Sequence, residues 1–202
     1  MSATLNISVA EPVVVHFERS KLRMNDQEFF EFCQLNPELR IERTSEGDLI
    51  VMAPTGGKTG IRNAKLIARV MIWAEKDGRG QVFDSSTVFA LPNKARRSPD
   101  VSWVRNERWD VLTAQEQEEF PPLCPDLVVE LRSRTDKLDT LKGKMDEYIV
   151  NGAQLGWLID PIERQVHIYR SGSAPETLND PREISGDPLL KGFTLDLQSL
   201  WD

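Results

Sequence analysis

Hydrophobic residues recur with the spacing typical of helices in some segments of the chain and with the spacing typical of strands in others. After a weakly patterned start, Asn25 and Glu28 form a capping-box pattern that predicts the first turn of a helix ending before Pro37. Leu39–Arg43 alternates apolar and polar residues, Glu46–Asp48 turns the chain, and Leu49–Ala53 returns as a second strand. These segments predict an N-terminal helix followed by a β-hairpin.

A longer helix and three short strands follow the hairpin. The apolar residues of Ile61–Ala74 recur at helical spacing and predict that helix. Gln81–Phe83, Thr87–Leu91 and Asp100–Val104 are predicted strands, and the first two are close enough in sequence to form a second hairpin. Residues 110–119 are acidic and predict a surface helix.

Strands and helices remain mixed in the second half of the chain, where Leu127–Leu131 is an apolar run interrupted by one carboxylate. The elements predicted there are that buried strand, a helix capped by Thr135 or Asp136 and running through Val150, strands at Leu155–Ile159 and Gln165–Tyr169, and a final strand or short helix near Phe193–Trp201. This order predicts an α/β fold in which helices flank a mixed β-sheet.

The composition is that of a globular protein with a sizeable core. The chain has 202 residues, of which 40% are hydrophobic and 28% are charged, so we expect one domain over residues 21–202 after an N-terminal arm, residues 1–20. No apolar run approaches the length that spans a bilayer, and the first residues do not resemble a signal peptide. With only Cys33 and Cys124 as cysteines, a cytoplasmic location is expected, without a membrane partner.

Charge is unevenly distributed. The net charge is −7, but the stretches 58–79, 94–108 and 132–144 each contain more basic than acidic residues. A locally basic face for nucleic acid is one interpretation, and ordinary solvated charges are the other. Arg62, Lys65 and Arg69 recur at near-helical spacing, so they could follow a phosphate backbone or could simply form a solvated helix face.

Two carboxylates stand out by their surroundings. Glu130 interrupts the apolar strand Leu127–Leu131, which is costly unless the carboxylate is paired or binds a cation. Asp100 begins another predicted strand, directly after Pro99. Carboxylates at the ends of adjacent strands can converge on one hard divalent ion, which would polarise a phosphoryl oxygen and activate water. The alternatives are an ion-paired Glu130 and a turn-capping Asp100.

A lysine on the following helix could complete such a site by orienting water or by stabilising negative charge. The candidates are Lys137, Lys142 and Lys144. Lys142 and Lys144 flank the apolar face of the helix on opposite sides, so periodicity does not choose between them. Tyr148 lies one turn after Lys144 and could fix that lysine or belong to the core.

Several of these segments together resemble the Uma2 family, whose members are restriction-endonuclease-like proteins and were formerly a domain of unknown function. The similarity covers roughly residues 25–170. It is carried by the hairpin, by the Pro54–Gly57 segment, and by Ser98–Val101, Pro125–Glu130, Lys144–Tyr148 and Gly156–Pro161. The resemblance implies the restriction-endonuclease-like fold of the PD-(D/E)XK nuclease superfamily.

The resemblance also implies roles for individual residues. Asp100 and Glu130 would bind Mg²⁺ or Mn²⁺, Lys144 would be the catalytic lysine moved onto the helix, and Glu42 would be an additional acid. Arg132 stands at the position of the lysine, K, in the superfamily name PD-(D/E)XK. An arginine does not replace a lysine in orienting water. Asp126 belongs to a second Pro-Asp pair and is interpreted as a strand-entry residue.

The leading hypothesis is therefore a metal-dependent endonuclease that hydrolyses phosphodiester bonds in DNA. A homodimer is plausible by analogy with nucleases of this fold. One alternative is a catalytically inactive nucleic-acid-binding or scaffold protein on the same fold, which the negative charge and Arg132 favour. Another is a metal-dependent hydrolase of a small phosphate ester, which would require a narrow pocket in place of an open basic cleft.

Overall fold

A computed structural model describes Val13–Val15 and residues 24–201. The predicted N-terminal arm, residues 1–20, lies outside the described residues apart from that three-residue strand. Within the described part, no helix combines the length and the hydropathy needed to cross a membrane.

Thirteen strands and six helices make up the described chain. In chain order they are β1 Val13–Val15, α1 Asp26–Leu35, β2 Arg40–Arg43, β3 Leu49–Met52, α2 Gly57–Asp77, β4 Gly80–Asp84, β5 Phe89–Ala90, β6 Arg96–Arg97, β7 Val101–Arg105, α3 Asn106–Trp109, α4 Ala114–Glu118, β8 Leu127–Leu131, α5 Leu138–Val150, β9 Leu155–Asp160, β10 Gln165–Arg170, β11 Glu176–Asn179, β12 Glu183–Ser185, β13 Thr194–Asp196 and α6 Gln198–Trp201.

The main sheet has six strands in the order β11-β10-β9-β8-β7-β4. Strands β8 and β9 are parallel, and the other neighbours are antiparallel, so the predicted mixed sheet is confirmed. A second, antiparallel sheet has the order β1-β3-β2-β6-β5 and contains the predicted hairpin, while β12 and β13 form a two-stranded sheet. The α1 helix that precedes the hairpin has the predicted capping box at Asn25.

Helices cover both faces of the main sheet because both faces are apolar. On one face, Trp103 and Trp157 pack in a cluster with Leu66 and Val70 of α2. On the other face, a second cluster contains Val128, Leu158, and Met145 and Tyr148 of α5. Both tryptophans are fully buried, and truncating either to alanine would cost about 3–5 kcal/mol. Glu130 has the same strand parity as Val128, so it faces α5.

Some predicted elements are wrong or differ in their bounds. The hairpin expected between Gln81–Phe83 and Thr87–Leu91 does not form, because β4 pairs with β7 and β5 pairs with β6 in the other sheet. Asp84 accepts the backbone N–H of Ser86 and turns the chain from one sheet to the other. Strand pairing between distant segments therefore overrides the short sequence separation.

Helix boundaries also differ from the predicted ones. Helix α2 begins at Gly57, four residues before the first apolar residue of its pattern, and α5 begins at Leu138 with Lys137 at its cap. Asp136 is not the cap because its carboxylate accepts the backbone N–H of Ser133 instead. The acidic segment 110–119 contains only the short α4, which Thr113 caps. After β10 the chain forms the strands β11 and β12, and it ends in both a strand, β13, and a helix, α6, where the sequence predicted one or the other.

Candidate active site

Asp100 and Glu130 lie next to each other because of the register between β7 and β8. Val101 pairs with Val129 in this antiparallel ladder, so Asp100, one residue before β7, lies opposite Glu130. The backbone N–H of Leu131 donates to Asp100 Oδ2 at 2.8 Å. Glu130 is only 4% exposed, and Asp100 remains partly exposed. The expected convergence of two carboxylates is therefore present.

Lys144 reaches this pair from α5. Its ammonium nitrogen lies 2.8 Å from Glu130 Oε1 and 2.8 Å from Glu42 Oε1. The helix lies close to the sheet at Gly156 of β9, where a Cβ atom would be 2.4 Å from Met145 Cε. Among the lysines that periodicity left open, Lys144 is thus the one whose ammonium contacts two buried carboxylates. Tyr148, fully buried in the core, also donates its hydroxyl to Glu130 Oε1 at 3.0 Å.

Glu42 comes from the hairpin of the second sheet and is 2% exposed. Its carboxylate accepts the backbone N–H of Ser98 at 2.9 Å and the guanidinium of Arg97 at 3.1 Å. Arg97 also contacts Glu147 of α5 at 2.5 Å. A continuous line of ion pairs therefore runs from Glu130 through Lys144, Glu42 and Arg97 to Glu147. Arg97 and Glu147 could not be identified from the sequence, because no local pattern links strand β6 to the middle of α5.

Burial and neighbouring opposite charges shift the pKa values of these groups in opposite directions. Burial raises the pKa of Glu130 to about 7, and the charges of Asp100 and Glu42 add to the increase, against the opposing effect of Lys144. Burial also raises the pKa of Asp100. The pKa of Lys144 lies above its usual value because Glu130 and Glu42 outweigh the effect of burial. Lys144 therefore carries a full positive charge at neutral pH.

The donor set fits a hard divalent cation. Three carboxylates, Glu130, Glu42 and Glu147, share the ion pairs of Lys144 and Arg97, and the carboxylate of Asp100 lies beside Glu130, so oxygen donors gather at this edge of the sheet. In the described part of the chain, no group of three or more His, Cys, Asp or Glu residues has metal-binding geometry. A cation here would therefore be held by this pair together with water and substrate oxygens, which is how proteins usually hold Mg²⁺.

The side chain of Arg132 pairs with a carboxylate outside the candidate site. Its guanidinium donates to Asp160 Oδ2 at 2.7 Å, across the parallel ladder of β8 and β9. Asp126 lies at the other end of β8, where it accepts the backbone N–H of Arg105 and pairs with Arg108 at 3.1 Å. Asp126 is therefore a buried strand-entry residue, as interpreted from the sequence, and is remote from Asp100.

Many cations of the predicted basic stretches have partners within the protein. Arg62 Nε donates to the backbone oxygen of Leu200 at 2.7 Å, and Lys65 donates to that of Ser199 at 2.8 Å. Arg69 donates to the Ser199 hydroxyl at 2.7 Å. These three residues therefore hold the C-terminal segment against α2. Neither the phosphate-tracking interpretation nor the solvated-face interpretation describes them.

The fold and the site together define a restriction-endonuclease-like protein, in which a mixed sheet flanked by helices presents two acids and a lysine. The family model of Uma2, described as "Putative restriction endonuclease", matches residues 26–198. The chain belongs to the Uma2 family, as its sequence motifs indicated.

A solved structure supports the fold assignment. The crystal structure of a "putative nuclease belonging to DUF820" from Anabaena variabilis ATCC 29413 superimposes with a TM-score of 0.70 at 20% sequence identity. The similarity covers 81% of this chain and 90% of that one. At this level of identity the comparison establishes the shared fold. No curated protein matches the chain.

Proposed function

We propose that this protein is a Mg²⁺-dependent endonuclease that hydrolyses phosphodiester bonds in DNA. The observation that carries the proposal is the position of Lys144, whose ammonium lies 2.8 Å from Glu130 and from Glu42, beside Asp100. The Lys144 side chain is only 12% exposed. Desolvating an ammonium and its carboxylates costs free energy, and such arrangements cluster at functional sites. Two acids and one ammonium are the groups that metal-assisted phosphoryl chemistry uses.

Asp100 and Glu130 are the proposed ligands of the Mg²⁺ or Mn²⁺ ion. When bound, the ion would polarise a phosphoryl oxygen and lower the pKa of a coordinated water molecule. The Leu131 backbone N–H holds the Asp100 carboxylate, and the Tyr148 hydroxyl holds that of Glu130. Both carboxylates are therefore already oriented by the protein.

Lys144 acts in this proposal as a positive charge and hydrogen-bond donor. Because the neighbouring carboxylates raise its pKa, the side chain stays protonated at neutral pH and is not a general base. It orients the attacking water or stabilises the negative charge that develops on the phosphoryl group. Glu42 assists by fixing the ammonium through a second ion pair.

DNA is the proposed substrate, and two exposed cations are candidates for contacts to its phosphates. Lys58 lies in the first turn of α2, and Arg134 follows β8 by three residues; both side chains are exposed. Such residues can contact phosphates without specifying sequence. A homodimer, which would address both strands, belongs to the same proposal. Analytical ultracentrifugation would test it.

Cleavage of supercoiled plasmid and of single-stranded DNA with Mg²⁺ or Mn²⁺ tests the proposal. We expect cleavage by the wild type and its loss in Lys144→Ala. Lys142→Ala is the matched control, since it removes a lysine two positions away on the same helix. Absence of cleavage across metals and substrates, with the protein folded, would contradict the proposal and favour a catalytically inactive nucleic-acid-binding protein.

A further inference from the structure

The side chain of Asn63 is the part of the site for which the proposed chemistry gives no role. Asn63 lies on α2, and its Nδ2 donates to Asp100 Oδ1 at 3.2 Å. Its Oδ1 is buried and has no hydrogen-bond partner among the described residues. A buried carbonyl acceptor without a donor is unfavourable and uncommon in native proteins.

The orientation of this amide follows from Asp100. An ionised carboxylate only accepts hydrogen bonds, so the NH₂ group of Asn63 must face Asp100 whenever Asp100 carries a charge. Rotating the amide by 180° would place two acceptor oxygens against each other. The acceptor Oδ1 is therefore left without a partner because the donor Nδ2 is committed to Asp100.

The helix that carries Asn63 is held firmly. Leu66 and Val70, one and two turns further along α2, are fully buried against the main sheet. Arg62, adjacent to Asn63, anchors the C-terminal segment through Leu200. The amide thus has little freedom to turn toward another donor, and it approaches Asp100 from the element opposite α5.

We propose that Asn63 is a positioning residue for the cation at Asp100. Its Nδ2 fixes the carboxylate, and its Oδ1 accepts a hydrogen bond from a water molecule of the cation's coordination shell. Mg²⁺ retains several water molecules in protein sites, and these waters donate hydrogen bonds to neighbouring acceptors. This inference rests on the proposed function, because it assumes that Asp100 binds a divalent ion.

Mn²⁺ binding to the DNA-free protein tests the inference, with electron paramagnetic resonance to count free Mn²⁺. We expect Asn63→Ala to weaken binding by about tenfold, as is typical for partners of metal ligands. Asn106→Ala is the matched control. Asn106, like Asn63, is partly buried, and its side-chain amide donates to the backbone oxygen of Gly78. It follows the end of β7 that is remote from Asp100. Its Mn²⁺ affinity should equal that of the wild type.

Asn63→Asp provides an independent readout. It removes the donor and places a second carboxylate against Asp100, so the metal-free variant should melt at a lower temperature than the wild type. Mn²⁺ relieves this repulsion, and the increase in melting temperature on adding Mn²⁺ should exceed that of the wild type. An increase smaller than the wild-type increase would contradict the inference.

The outcomes separate this inference from the proposed function. If Asp100→Ala loses Mn²⁺ binding while Asn63→Ala binds as tightly as the wild type, the metal site stands and the role of Asn63 is overturned. A lower melting temperature of Asn63→Ala with unchanged Mn²⁺ affinity would likewise reduce Asn63 to a structural residue. If the wild type itself binds no Mn²⁺, the metal-dependent function fails and the inference fails with it.

Discussion

Glu42 Oε1 and Lys144 Nζ lie 2.8 Å apart although 102 positions separate them in the sequence. Glu42 belongs to the hairpin of the second sheet, and Lys144 belongs to the helix that covers the main sheet. This contact therefore joins the two sheets at the candidate active site. It also explains why the Glu42 carboxylate is buried yet has a lowered pKa: burial raises that pKa, but the charges of Lys144 and Arg97 outweigh it.

We predict that Glu42→Gln separates catalysis from metal binding. The amide cannot neutralise the Lys144 ammonium, so the lysine should lose its fixed position, while Asp100 and Glu130 remain in place. The cleavage rate should fall by about tenfold to a hundredfold, the range found when a partner that orients a functional side chain is removed. Mn²⁺ affinity, measured calorimetrically, should stay near that of the wild type. Loss of both properties together would make Glu42 part of the metal site.

A second prediction concerns pH and the stability of the metal-free protein. The pKa of Glu130 rises from 4.5 to about 7 on folding, mainly through burial. A raised folded-state pKa contributes stability that is fully present below 4.5 and is lost as the pH rises through about 7. Glu130→Gln removes this loss. As the pH is raised from 5 to 8, the variant should therefore become more stable relative to the wild type.

Urea unfolding at the two pH values measures the effect in the presence of a chelator. We expect the stability difference between Glu130→Gln and the wild type to change by roughly 1–3 kcal/mol in favour of the variant, from the conversion of a pKa shift into free energy. The variant should also lack cleavage activity. An unchanged difference between pH 5 and pH 8 would mean that Glu130 titrates near its ordinary value.

Tyr148→Phe tests the hydrogen bond to Glu130. The ring would remain in the core, and the lost hydroxyl should lower the free energy of unfolding by about 1 kcal/mol. The hydroxyl donates to the ionised carboxylate, so its removal should raise the pKa of Glu130 further. The acid limb of the pH–rate profile should then move to higher pH. A uniform loss of rate at every pH would instead indicate misfolding or displacement of the site.

A further prediction concerns Arg132, two residues after Glu130. Arg132→Lys should retain cleavage at about the wild-type rate, because the side chain pairs with Asp160 and not with the site carboxylates. Arg132→Ala removes the ion pair of the buried Asp160 carboxylate, which keeps the backbone N–H of Ile162 as a donor, and should cost about 3 kcal/mol of stability. A large increase in activity for Arg132→Lys would show that this position can take over the role of Lys144.

The sequence was sufficient to nominate those candidate site residues whose local surroundings are unusual. Glu130 stood out because a carboxylate interrupts an apolar strand, and the register of β7 and β8 then brings Asp100 beside it. The choice between Lys142 and Lys144 could not be made, because helical periodicity places both at the edges of the apolar face. Only the packing of α5 on the sheet distinguishes them.

Other features depend on contacts that no local pattern encodes. The hydrogen bond from Asn63 to Asp100 spans 37 positions, and the ion pair between Arg97 and Glu147 spans 50. Arg62 and its neighbours looked like a surface face because their partners are backbone oxygens in the last turn of the chain. The hairpin predicted across residues 81–91 failed for the same reason, since each strand pairs with a distant segment.

The most direct test of the central claim compares supercoiled plasmid cleavage by the wild type and by Asp100→Asn in Mg²⁺. The substitution keeps the size of the side chain but removes the charge that would bind the ion. We expect nicked and linear products for the wild type, none when a chelator is added, and none for Asp100→Asn. Equal cleavage by the two proteins would show that Asp100 is not needed for the reaction and would contradict the proposed metal site.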